Sequence, residues 1–276
     1  MFLKVSTKDN IQQEVDIYKQ LDIIPGIPLI FGWCLFSETF SYISMEPFDQ
    51  DLYHYVQNRG PTNLKQACEI AAKIVRGNPL SFVRDQLISL CTQLSVLSEV
   101  HSTSIIHCDI KPQNVVCSPD GKGVGKLAVV DWGLALKWGE GGRCNFFGTP
   151  AFMAVSRLSG HGKIPLCQLR TIRSDGFLIE PHPLDDVESL MYVVEFLQTG
   201  EIPWGWCTAS RDEDYKNLVE ERRSWAPENP SLQEFLAHSR DQRCDAPSIL
   251  HDIRLFIDAL QPALMACRIT HTFKIY

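Results

Sequence analysis

The stretch from His107 to Asn114 reads His-Cys-Asp-Ile-Lys-Pro-Gln-Asn, and Asp131-Trp-Gly133 follows the apolar run Leu127–Val130. Together these residues constrain the fold more than any other part of the chain. An acid (Asp109), an ammonium two residues on (Lys111) and an amide (Asn114) sit in one short loop, and a second acid (Asp131) must return to it. The flanking pattern supports that return. Arg84 to His101 carries Leu87, Leu90, Leu94 and Leu97 on one helical face, which predicts an amphipathic helix leading into Ile105-Ile106-His107. Val115-Val116 and Leu127–Val130, separated by Asp120-Gly121 and more glycine, predict two strands of a small hairpin around the loop.

Each of these residues alone has an ordinary reading. A single Asp before a loop is a cap or a solvated charge, and a lone His107 beside apolar residues is structural. The joint pattern has a chemistry. Phosphoryl transfer needs an oriented hydroxyl, metal ions bridging the phosphates and positive charge near the oxygens. Asp109 fits the carboxylate that accepts or orients the hydroxyl proton, and Lys111 an ammonium near the transferred phosphate. The amide oxygen of Asn114 and the carboxylate of Asp131 are hard ligands of the kind that suit magnesium.

Around this centre the periodicity predicts an α+β chain in two unequal parts. Phe2–Val5 reads as a short strand. Ile11, Val15, Tyr18 and Leu21 have helical spacing. Pro25-Gly26-Ile-Pro28 ends that helix, and Leu29–Leu35 and Phe40–Met45 read as strands. Glu46-Pro47-Phe48 reads as a linker. Residues 1–46 are therefore expected to form a small sheet with one helix, and 47–276 a larger, mainly helical part. Residues 59–79, with Gly60-Pro61 and Gly77-Asn78-Pro79 around a helix at Leu64–Val75, read as an insertion in the larger part. Pro183 to Gly200 predicts a helix apolar on most sides, hence buried, with Asp185 as N-cap, Glu188 completing a capping box and Gly200 at its end.

Lys4 and Glu14 lie on the first strand and first helix. They read either as surface charges or as an ion pair across a short loop, with Lys8 as a weaker substitute for Lys4. The net charge of −7 argues against general affinity for nucleic acid or an anionic membrane. No run of about 18 apolar residues suggests a span, and the start lacks a signal-peptide pattern. Ten cysteines without a CxxC pair read as reduced, mostly buried thiols rather than a zinc site. The expected location is cytoplasmic or nuclear and the expected state monomeric.

These motifs resemble a eukaryotic protein kinase. The loop is similar to the family's His-Arg-Asp-Leu-x-x-x-Asn and Asp-Phe-Gly motifs, with Cys108 and Trp132 in place of the arginine and phenylalanine. Several segments resemble the casein kinase I group in particular: Glu14-Val-Asp-Ile-Tyr-Lys19, Gly26-Ile-Pro28, Trp33-Cys34, Tyr42-Ile-Ser-Met45-Glu46, Asp185-Asp186-Val-Glu-Ser-Leu190, Ile202-Pro-Trp204, and Phe235-Leu through Arg243-Cys-Asp-Ala-Pro247. A fungal kinase family with a similar 185–190 segment is a close relative that stays open.

The resemblance implies a two-lobe fold and a serine/threonine protein kinase using ATP and magnesium on protein substrates. It assigns Asp109 as base, Lys111 as phosphate contact and Asn114 and Asp131 as metal ligands. Lys4–Glu14 becomes the nucleotide-positioning pair, Met45 the gatekeeper, Glu46 to Phe48 the adenine hinge, Asp186 the anchor of the catalytic loop and Gly148-Thr149 the substrate shelf, with His107 structural.

The departures from the family carry implications too. The start aligns with the lysine-bearing strand, so the family's glycine-rich loop is missing. The expectation is either a longer product cut or mis-started, or a kinase-derived protein with an impaired grip on nucleotide. Cys108 implies less control by activation-loop phosphorylation, and Pro150-Ala151 after Thr149 a weakened preference for already phosphorylated substrates. A non-catalytic kinase-like scaffold and a small-molecule phosphotransferase remain the competing readings.

Overall fold

A computed structural model describes residues 1–35, 40–63, 66–67, 70, 96–119, 125–138, 148–161, 181–206, 212–228 and 230–241. The chain opens with β1 (Phe2–Thr7), α1 (Lys8–Leu21), β2 (Ile30–Leu35) and β3 (Phe40–Met45). The three strands form an antiparallel sheet in the order β1-β3-β2. Helix α1 forms because Ile11, Val15, Tyr18 and Leu21 recur on one face, and all four are buried. It starts three residues earlier than its apolar period indicates, taking in Lys8, Asp9 and Asn10.

Register decides which side chains meet this helix. Lys4, Ile43 and Trp33 lie opposite one another across the three strands and so share a face. That face meets α1: Ile43 is buried, and Lys19 of α1 sits 5.0 Å over the Trp33 ring. The alternate residues Leu3 and Val5 point the other way and are exposed.

The chain then forms β4 (Gln50–Asp51) and α2 (Leu52–Arg59), whose N-cap Asp51 accepts a hydrogen bond from the His54 amide. Of the helix expected over 84–101 the described part is α3 (Val96–Ser102), and it leads into β5 (Ile105–Ile106). The helix expected at 64–75 lies largely outside the described residues, although Gln66, Ala67 and Ile70 are helical. The expected hairpin is present as β6 (Val115–Ser118) and β7 (Lys126–Val129), extended by β4 in the order β4-β6-β7. Strand β8 (Leu136–Lys137) pairs with β5. Helices α4 (Val155–His161), α5 (Pro183–Thr199), α6 (Asp212–Ser224) and α7 (Pro230–Asp241) follow.

Helix α5 is buried along nearly its whole length, as its all-round apolar pattern requires. Its N-cap is His182, not Asp185. Pro183 fits the first helical position because its missing N–H needs no partner there, so the helix begins two residues before Asp185. The His182 Nδ1 accepts from the Leu184 amide, and Asp185 reaches back to accept from the His182 amide at 2.8 Å. The capping box exists, with Asp185 at its N3 position instead of at the N-cap. Gly200 closes the helix in a left-handed conformation (φ 79°), its amide donating to the Phe196 carbonyl.

Aromatic rings gather at the other end of α5. Tyr192, Trp204 and Trp225 pack edge to face. The fully buried Arg222 guanidinium lies 4.9 Å from the Tyr192 ring centroid and 4.7 Å from that of Trp204, and donates to the Pro150 carbonyl.

Gly26 joins the sheet region to the rest. It adopts φ +95°, its carbonyl accepts from the Val129 amide, and a Cβ at this position would come within 2.4 Å of Val96 Cγ2. Backbone strain and overpacking then act together. Gly26→Ala is expected to lower stability by about 2–4 kcal/mol, read as a shifted urea midpoint at unchanged slope.

Candidate active site

The loop after β5 is built around two buried histidines and one buried carboxylate. Asp186, in the first turn of α5, is 1% exposed. Its Oδ1 accepts from the Cys108 amide at 2.9 Å, and its Oδ2 from the His107 amide at 2.8 Å and from His101 Nε2 at 2.9 Å. Burial favours the neutral acid, but the His101 hydrogen bond and charge, aided by His107, outweigh it and hold the carboxyl below its ordinary value. Three donors on two oxygens fix the peptides on both sides of His107. His101 gives no motif signal in the sequence, because its partner lies 85 residues away.

His107 has its tautomer set by its partners. The Asp109 amide donates to Nδ1 at 3.2 Å, so Nε2 carries the hydrogen and donates to the Val130 carbonyl at 3.0 Å. The ring thereby ties the backbone of Asp109 to the residue before Asp131. Trp132, also fully buried, packs edge to face on it at 4.5 Å and donates through Nε1 to the Val129 carbonyl.

The Asp109 side chain is nearly buried and held on both oxygens. Oδ1 accepts from the Thr149 amide at 2.8 Å, and Oδ2 from Lys111 Nζ at 2.7 Å and Asn114 Nδ2 at 3.1 Å. Lys111 Nζ also donates to Thr149 Oγ1 at 2.8 Å. Gly148 adopts φ +128°, and a Cβ there would meet the Cys108 carbonyl oxygen at 2.9 Å. The 148–149 segment can lie this close to the loop only because residue 148 is glycine.

The second acid is brought in from the sheet side. Lys4 Nζ lies 2.9 and 2.7 Å from the two oxygens of Glu14 and 2.6 Å from Asp131 Oδ1. Glu14 is 1% exposed, which decides against the reading of Lys4 and Glu14 as surface charges. The side chain of Lys8 lies outside the described residues. Burial works against the Lys4 ammonium, but Glu14 and Asp131 outweigh it and hold its pKa above the ordinary value. Burial likewise favours neutral Asp131, yet Lys4 above all, with Lys111, holds it below. Glu14 is raised, because its burial exceeds what Lys4 returns. Lys4 and Asp131 therefore stay charged through the neutral range. Asp131 itself is left-handed (φ 67°), its amide donating to the Tyr18 hydroxyl at 3.3 Å. Tyr18 was legible as core but not as a contact to this site.

The remaining expected residues lie at the end of β3 and just beyond it. Met45 ends β3 and is buried. The Glu46 amide donates to the Leu29 carbonyl at 2.8 Å, so its own carbonyl is the backbone group left for a ligand. The Glu46 carboxylate pairs with Lys126, whose ammonium also sits 5.5 Å over the Phe48 ring.

The donor set suits a hard cation. The Asn114 NH2 is spent on the Asp109 carbonyl at 2.9 Å and on its carboxylate, which leaves the amide oxygen for a metal beside Asp131. Among the described residues no three His, Cys, Asp or Glu side chains form a cage. Two protein oxygens with the rest supplied by water and phosphate is how magnesium is commonly held. Among the described residues Cys34 is exposed and Cys108 and Cys117 are buried, all three as thiols outside a disulfide. The Cys117 thiol is pushed up to about 12 by burial and by Asp51 and Asp49, so it is not a nucleophile at neutral pH. No helix among the described residues is long and apolar enough to cross a membrane.

Residues 3–165, more than half of the chain, match the family model described as protein kinase domain.

The Asp186 network carries a prediction. Asp186→Asn leaves one acceptor oxygen where three donors converge, and is expected to cost on the order of 3 kcal/mol. A depressed carboxyl stabilises the fold above its unfolded-state value, and that contribution is lost as pH falls through the folded-state value. The acid limb of a stability–pH profile should therefore be shallower in the variant than in the wild type.

Proposed function

The chain belongs to the protein kinase domain family, and we propose that it is a serine/threonine protein kinase of the casein kinase I-like group that uses ATP and magnesium on protein substrates. The observation that carries this reading is Lys4, whose ammonium bridges Glu14 on α1 and Asp131 after β7 while the Asp109 cluster is fully assembled beside it. Kinase catalysis requires that lysine–glutamate pair and a metal-binding aspartate together.

Each residue then has a defined task. The Asp109 carboxylate accepts the proton of the substrate hydroxyl. Its fixed contacts to Thr149 and Asn114 aim it, and Lys111 beside it presents positive charge to the phosphoryl group. Asn114 and Asp131 would hold magnesium, which when bound neutralises phosphate charge between nucleotide and protein. Lys4, kept charged by its two carboxylates, would contact the nucleotide phosphates. Met45 and the Glu46–Phe48 segment would border adenine through backbone groups. Gly148-Thr149 would support the substrate chain near Asp109.

Lys111 two residues after the acid favours serine and threonine over tyrosine by family analogy. The segments Asp185–Leu190 and Ile202–Trp204 favour the casein kinase I group. The same segments and the shelf at 148–149 weigh against a small-molecule substrate.

Labelled phosphate transfer from ATP to casein is expected to depend on magnesium and to fall about 10²–10⁴-fold in Asp109→Asn, with nucleotide binding retained. Transfer that survives the substitution removes Asp109 from its role. Binding without any transfer in the wild type supports the scaffold reading. Lys4→Met is expected to weaken nucleotide binding at least tenfold and also to lower the urea midpoint, because it leaves the buried Glu14 carboxylate without its partner.

A further inference from the structure

We infer that Arg157 is a positioning residue for the reaction, holding the peptide that aims Asp109. The inference rests on the kinase reading and extends it to a residue outside the loop motif.

Cys108, the residue immediately before Asp109, adopts φ +69°. A β-carbon disfavours this left-handed conformation by roughly 1–2 kcal/mol, so it persists only where its surroundings over-determine it. The Cys108 amide is fixed by Asp186 Oδ1 at 2.9 Å. On the other side its carbonyl accepts from Arg157 Nη1, also at 2.9 Å. A buried carboxylate from α5 and a buried guanidinium from α4 thus bracket one strained residue. Arg157 is 6% exposed. A charged donor to a carbonyl makes a stronger bond than a neutral one.

The bracket bears on Asp109 in two ways. The Cys108 carbonyl belongs to the peptide whose nitrogen is the Asp109 amide, the group that donates to His107 Nδ1. Rotation of that peptide would move the carboxylate away from Thr149 and Asn114. The same carbonyl oxygen is the atom that a Cβ on Gly148 would strike, so its direction also sets how closely the 148–149 segment approaches. Arg157 thus acts through Cys108 on both the acid and the shelf beside it.

Where related loops carry arginine, this chain has Cys108. Here a buried guanidinium reaches the same peptide from a helix outside the loop. It is bound to a backbone carbonyl and withdrawn from solvent, so the positioning it provides needs no phosphate on the segment before α4.

The test combines kinetics with local amide exchange on Arg157→Met and Arg157→Lys. In Arg157→Met, kcat is expected to fall at least tenfold at unchanged KM for ATP. Exchange at amides 105–111 is expected to accelerate at least tenfold while that of α5 stays as in the wild type. Arg157→Lys, which keeps a cation, is expected to recover part of both. Phosphatase treatment of the wild type is expected to leave kcat unchanged.

Wild-type kcat and wild-type exchange at 105–111 in Arg157→Met overturn the inference. So does loss of protection that is uniform across α5 and the loop. If Arg157→Met fails to fold, Arg157→Gln, which removes the charge at similar length, is read by the same two measurements, and an unaltered loop there leaves no positioning role for the guanidinium. If the wild type transfers no phosphate, the kinase reading fails separately, and the exchange data still show whether Arg157 clamps the loop.

Discussion

The buried carboxylate of Asp186 is the constraint on which the site depends. An unpaired charge at this depth would be strongly unfavourable. Two loop amides and a histidine supply what water would otherwise give it. The consequence runs outward through the chain. With His107 and Cys108 pinned, the His107 ring can bridge Asp109 and Val130, and Asp109 can take its contacts from Lys111, Asn114 and Thr149. The long helix that carries Asp186 is apolar on most sides and buried along nearly its whole length, so its place in the core is fixed by packing and the carboxylate has no freedom to follow the loop.

A second junction brings the sheet to this centre. The register of β1 against β3 puts Lys4 on the helix-facing side, and α1 presents Glu14 to it. The ammonium then reaches Asp131 across 127 residues of chain. A one-residue slip in β1 would turn Lys4 to the exposed face and leave Glu14 buried without its partner. Tyr18 adds a second tie from the same helix to the Asp131 backbone. The geometry of the candidate site is thus a consequence of strand register on one side and helix burial on the other.

Much of this was legible in the sequence, for identifiable reasons. Helix α1 and helix α5 announce themselves through apolar period, and the β6–β7 hairpin through alternating runs and glycine. The D-x-K-x-x-N and Asp-Trp-Gly spacings bring out the acids and the amide. Lys4–Glu14 emerged as one of two readings, because ten residues of separation fit both a pair and two surface charges. What stayed hidden has a common physical character. His101 acts through the Asp186 carboxylate, and Tyr18, Arg157 and Arg222 through backbone groups, all distant in sequence, and no local pattern encodes such contacts. The N-cap of α5 was misplaced because Asp185 and Glu188 imitate a capping box, whereas Pro183 moves the true start to His182. Gly26 read as a helix breaker, but its tight approach to Val96 is a property of the packed fold alone.

We propose that one assembled site moves a phosphoryl group from ATP to a protein hydroxyl. The most direct measurement is phosphoamino-acid analysis of a mixed serine, threonine and tyrosine substrate after incubation of this chain with γ-labelled ATP and magnesium. Label is expected on serine or threonine, and is absent when magnesium is chelated. Bound nucleotide with no label on any hydroxyl, or label confined to tyrosine, would contradict it.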